Sequence, residues 1–136
     1  MDSSCFNFQI DYLPAAQVVR VVTFGRFHFA SNQKVVTASL EAAKQHQTCR
    51  FLIDHRQAEI VLRDEDIPLA SKVNFILGLR PNFRRAYLYN PDCPSHAVIQ
   101  HYVELSAALG LQSKVFVDEA VAMAWLSSNQ TAIPAA

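Results

Sequence analysis

The chain has 136 residues, 51% of them hydrophobic and 18% charged, and its 12 basic side chains are balanced by 12 acidic ones. This is a globular rather than a disordered profile, able to bury roughly two-thirds of the unfolded surface. With no basic surplus to displace counterions, binding to a nucleic-acid duplex is not expected. Cys5, Cys49 and Cys93 are far apart and form no CxxC pair, which fits free thiols in a reducing compartment. The start "MDSSCFNFQIDYLP" lacks the basic-then-apolar pattern of a secretory signal, and no window approaches the ~18 apolar residues that span a bilayer. The expectation is a single cytoplasmic domain over residues 1–136, with no transmembrane segment and a frayed tail at 129–136.

In chain order, "FNFQIDYL" alternates apolar and polar residues with period two and reads as a half-buried strand. Pro14-Ala15-Ala16 breaks it, and "QVVRVVTFGRF" follows as a second strand closed by Gly25. The short link predicts an antiparallel pair. Ser31 or Asn32 then caps a helix through "QKVVTASLEAAKQH", with Val36, Leu40 and Ala43 on one stripe. "CRFLID" is a continuous apolar strand, as expected where both faces are covered. A long loop over 55–65 leads to the helix "DIPLASKVNFILGLR", capped by Asp66, with Pro68 in its first turn and a stop near Gly78. "RRAYLY" is the next strand. Asp92 or Ser95 caps a helix with Val98, Ile99, Tyr102, Leu105 and Leu109 on one face and Gly110 at its end. "KVFV" is the last strand, and Asp118 caps "EAVAMAWL". The fold class is therefore α/β: a mixed, mostly parallel central sheet of about five strands covered by four helices.

Three of these pieces carry a resemblance. The strand ending in Gly25-Arg26-Phe27, the strand Phe51-Leu52-Ile53-Asp54, and Val115-Phe116 followed by Asp118-Glu119-Ala120 and Trp125-Leu126 resemble, in order and spacing, the SpoIIAA-like branch of STAS domains over about residues 18–126. The resemblance implies a small cytoplasmic sheet-and-helix module. In the family's anti-sigma-factor antagonists, a serine in an Asp-Ser-Ser-Gly turn is phosphorylated and controls partner binding. The corresponding region here looks like Asp64-Glu65-Asp66-Ile67, with neither hydroxyl nor glycine, so the phosphoswitch is not carried over.

Three stretches gather titratable side chains. Asp64-Glu65-Asp66 fits a helix start, where carboxylates meet free N–H groups and the macrodipole, better than an oxygen-ligand cation site. Asp54-His55-Arg56 lies at the carboxyl end of a strand, where open α/β sheets bind ligands. There His55 could serve as acid or base and Arg56 could hold an anion. Cys93, near a helix start with His96 three residues on, offers a second nucleophile reading without an orienting third group. His96 and His101, five apart, diverge by about 140° and do not suit a shared metal. Three glycines with no GxGxxG, GKS/T or GxSxG make a nucleotide enzyme or an α/β-hydrolase improbable.

The remaining signal is apolar. Leu69, Val73, Ile76 and Leu77 form one arc expected to face the sheet, while Phe75 and Leu79 lie on the opposite side, so the helix is expected to be buried twice. Together these features predict a non-enzymatic binding or regulatory module without cofactor or metal. It would take a protein partner, an apolar lipid-like ligand or a second copy of the chain through Phe75, Leu79, Asp54, His55 and Arg56. The competing expectation is a small enzyme using His55 with Arg56, or Cys93, on an anionic small molecule.

Overall fold

The computed structural model describes residues 5–63, 65–92 and 95–128. Strands β1 (Asn7–Leu13) and β2 (Val18–Phe27) pair antiparallel, from Asn7 with Phe24 to Leu13 with Val18. Strands β3 (Arg50–Ile60), β4 (Arg84–Leu88) and β5 (Gln112–Phe116) then add in parallel, so the five strands lie in sequence order. Helices α1 (Phe29–His46), α2 (Asp66–Leu77) and α3 (Ser95–Ala108) are the crossovers, and α4 (Glu119–Ser127) follows β5. Parallel strands laid down in one direction with right-handed crossovers put every crossover helix on the same face. That is what the core shows. Val19, Val21, Phe51, Ile53 and Tyr87 pack with residues of α1, α2 and α3. Val18, Leu52, Ala86 and Leu88 pack on the other face with Ala122 and Leu126 of α4. Each fully buried Leu or Phe of this kind contributes about 1.5–3 kcal/mol.

Several boundaries follow the sequence. Asp118 caps α4, its Oδ1 accepting from the N–H of Ala120 at 2.8 Å and of Val121 at 3.4 Å. Gly78 ends α2 with φ +133°, a conformation few side chains tolerate. Gly25 has φ +81°, and a Cβ there would lie 2.1 Å from the carbonyl oxygen of Cys5. Among the described residues no helix is long and apolar enough to cross a membrane.

Four expectations are corrected. Helix α1 begins at Phe29, not after Ser31 or Asn32. The Ser31 hydroxyl instead accepts from the His28 N–H at 3.2 Å, and Asn32 turns inward. Glu65 is the N-cap of α2, and Asp66, its first helical residue, accepts from the Arg63 N–H at 3.0 Å. The supposed 55–65 loop is strand as far as Ile60. Finally, α2 sits with the opposite face inward. Its buried side chains are Ile67, Ala70, Ser71 and Asn74, whereas Leu69, Ile76 and Leu77 are exposed. Asp64, Cys93, the capping of α3 and the tail at 129–136 lie outside the described residues.

Candidate functional site

Strand β3 carries the polar triplet on a β-bulge. Val22 pairs with Asp54 and Phe24 with Gln57, so β3 spends one residue more than β2 between these pairs. Pairing of β3 with β4 ends at Asp54 and Leu88, and beyond it β3 runs beside β2 alone. Bulges are uncommon in parallel pairs, and they re-aim side chains. Before the bulge Ile53 and His55 look toward α1–α3; after it Ile60 packs against that same cluster, the alternation having shifted by one. A periodicity reading loses the strand at this point, because the extra residue breaks the period of two.

Asp54 and Arg56 point to the α4 face. The Asp54 carboxylate accepts from Arg56 N at 3.0 Å, Arg56 Nε at 2.9 Å and Arg56 Nη2 at 2.8 Å. Arg20 Nη2 adds a longer contact at 3.4 Å. Arg20 and Arg56 each also donate to Glu119 Oε1 at 3.1 Å, which ties the first turn of α4 to the sheet. Burial pushes the Asp54 carboxyl up, but the Arg56 hydrogen bonds and the charges of Arg56 and Arg20 outweigh it and leave the group below its ordinary value. Two cations and two anions thus satisfy one another, and Arg56 is already committed.

His55 lies on the other face, buried against Phe27 and Tyr87. Thr23 Oγ1 donates to the Asp54 carbonyl at 3.2 Å, so in its 2.7 Å contact with His55 it accepts from Nδ1. Burial holds the imidazole down at about 4, with Asp54 pulling slightly the other way, so the ring is neutral near pH 7. His55 and Arg56 therefore face opposite sides of the sheet, and the acid–base and anion-clamp pairing does not form.

Around His55 the α1–α3 side holds a polar network that sequence reading missed. Asn32 Nδ2 donates to Asn74 Oδ1 at 2.8 Å, and Asn74 Nδ2 donates to the Tyr102 hydroxyl. Arg85, 4% exposed, donates from Nη1 to the hydroxyls of Tyr87 at 2.7 Å and Tyr102 at 2.8 Å. These partners explain the reversed seating of α2: Asn74 must face inward to reach them, and the aliphatic arc is turned out. An arginine and an alternating tyrosine inside "RRAYLY" were the available signal for the network.

The Phe75 and Leu79 pair divides. Leu79, 2% exposed, packs with Val36 and Leu111 in a small core of its own. Phe75 remains at the surface, its ring 5.0 Å from the guanidinium carbon of Arg80. Leu69 and Ile76 stand out from α2 at 52% and 78% exposure, beside half-buried Val73 and exposed Leu77. Among the described residues no three His, Cys, Asp or Glu side chains gather as a metal site would.

The architecture matches solved structures. An uncharacterized protein of the DUF3478 family from Shewanella loihica PV-4, described as having a SpoIIAA-like fold, aligns over 93% of this chain and 98% of its own. The TM-score is 0.57 and the identity 19%. The fold is SpoIIAA-like. The anti-sigma factor antagonist SpoIIAA in its unphosphorylated form aligns over 85% of this chain and 94% of its own, at 15% identity and a TM-score of 0.49. The Bacillus cell fate determinant SpoIIAA in the phosphorylated form gives 13% identity and a TM-score of 0.46 over 85% of this chain and 96% of its own. No protein-family model matches the sequence, and no curated protein matches it significantly. In this chain the SpoIIAA-like fold is the expected five-stranded, mostly parallel sheet with four helices.

Proposed function

We propose that the protein is a non-catalytic binding module that docks a partner protein on the outer face of α2. The observation that carries this reading is the aliphatic arc of Leu69, Val73, Ile76 and Leu77, which has the spacing of a core-facing stripe yet lies on the solvent side. Contiguous apolar surface of this kind marks interaction sites, and a helical ridge with i, i+4, i+7 anchors is a recurrent way to fill a partner's groove. Phe75 forms one edge of the surface, and Lys72 supplies a charge between the apolar anchors. Asp54 and Arg56 belong to the opposite side of the sheet. His55 and Leu79 lie inside, where their packing holds the helices rather than meeting a partner.

A photo-crosslinking residue at position 76 tests the reading, with one at exposed Glu104 of α3 as control. A specific adduct from position 76, whose binding is reproduced with the purified partner and lost in Ile76→Asp, is expected. Equal labelling from both positions would overturn it. Sedimentation velocity and phosphatidylcholine vesicle flotation of the same variants separate a second copy or a lipid surface from a protein partner.

A further inference from the structure

Arg85 is buried, and no carboxylate among the described residues pairs with it. Its Nη1 is used by Tyr87 and Tyr102, but its Nη2 has no hydrogen-bond partner among the described residues. Burial opposes the charge, and the phenols of Tyr102 and Tyr87 outweigh it, so the guanidinium stays protonated. Burial holds the Tyr87 phenol well above its ordinary value, so this neighbour remains neutral and cannot act as the missing anion. A buried cation with an unsatisfied donor is costly, and structures retain one where an anion completes it.

The space for that anion is present. Arg85 lines a cavity of about 30 Å³ between the sheet and α1, walled mainly by Phe27, Val35, Val36, Leu40 and Phe51. A second cavity of about 30 Å³ continues toward α3, and Phe27, Asn32, His55 and Tyr87 border both. A water needs about 10–15 Å³ by this measure, so each cavity takes only a few heavy atoms. One cation fits one negative charge, and the apolar wall disfavours a hydrated dianion such as phosphate. The planar guanidinium edge suits a carboxylate.

We propose that this buried chamber is a binding site for a short-chain monocarboxylate, its carboxylate accepting from Arg85 Nη2 and its alkyl body lying among Phe27, Val35 and Phe51. The site is separate from the outer face of α2 and stands whether or not a partner docks there. Occupancy would rigidify the seats of α1 and α3 by completing the Asn32–Asn74–Tyr102–Arg85 chain.

The test uses the full chain with propionate, 1-propanol and inorganic phosphate at constant ionic strength, read by the NMR signals of the His55 and Tyr87 rings and by the thermal midpoint. Propionate is expected to give saturable shifts and a higher midpoint, with at least tenfold tighter binding than either propanol or phosphate. Arg85→Met should weaken propionate at least tenfold while leaving propanol unchanged. The proposal is overturned by absence of saturable change with propionate, by propanol or phosphate binding as tightly, or by Arg85→Met binding propionate like the wild type. Should Arg85→Met not fold, the wild-type comparison of propionate with propanol decides.

Discussion

Replacing Asp54 by Asn isolates the charge that ties β3 to Arg20, Arg56 and, through them, α4. The side chains have nearly the same shape, but the amide puts an NH2 group where Oδ2 accepts from Arg56 Nη2 at 2.8 Å and Arg20 Nη2 at 3.4 Å. Removing one partner from a buried pair costs ~3–5 kcal/mol. The Arg20 and Arg56 side chains are 23% and 37% exposed and keep Glu119, so water and that carboxylate recover part of the loss. We expect a destabilisation of about 2–3 kcal/mol at pH 7, or about 6–10 °C in Tm for a chain of this size. Urea denaturation at stepped pH measures it. The folded-state carboxyl lies below its ordinary value, so its stabilisation is present above the unfolded value near ~3.9 and is lost as pH falls through the folded one. The gap between wild type and variant should be constant from pH 8 to 5 and narrow toward pH 3. A gap under ~0.5 kcal/mol at pH 7, against the ~3–5 kcal/mol scale of a broken buried pair, or one unchanged at pH 3, refutes the reasoning.

Two further outcomes follow from the same geometry. The His55 ring, held down at about 4 by burial, should show no titration by NMR between pH 8 and 5.5. Because the unfolded chain binds that proton earlier, stability from this site is full above about pH 6.5 and shrinks as pH falls toward about 4; titration near 6.5 would contradict the buried placement. Leu126→Ala should cost about 2–5 kcal/mol in chemical denaturation, since the side chain is fully buried between α4 and the sheet. A loss below ~1 kcal/mol, less than half the lower bound for such truncations, would mean that α4 is not seated there.

Local chemistry made much of this molecule legible. The alternation of "FNFQIDYL", the oxygen of Asp118 ahead of an apolar run, and the glycines after Leu77 and Leu109 act within a few residues of themselves, so the five strands, the four helices and most of their ends could be read in order. The orientation of α2 could not. Apolar patterning assumes that the aliphatic arc goes inward, but Asn32, Asn74, Tyr102 and Arg85 come from four different elements, and only their hydrogen bonds decide that the polar side of α2 faces the core. The bulge in β3 was hidden for a related reason. An extra residue there is set by pairing with β2, not by the side chains of β3, and the strand continues through His55 and Arg56, whose plain alternation puts them on opposite faces. The sequence by itself determined which segments are helix and strand and how they are connected. Which sides of them meet, and hence which residues are left for a partner or a ligand, was decided by contacts between segments far apart in the chain.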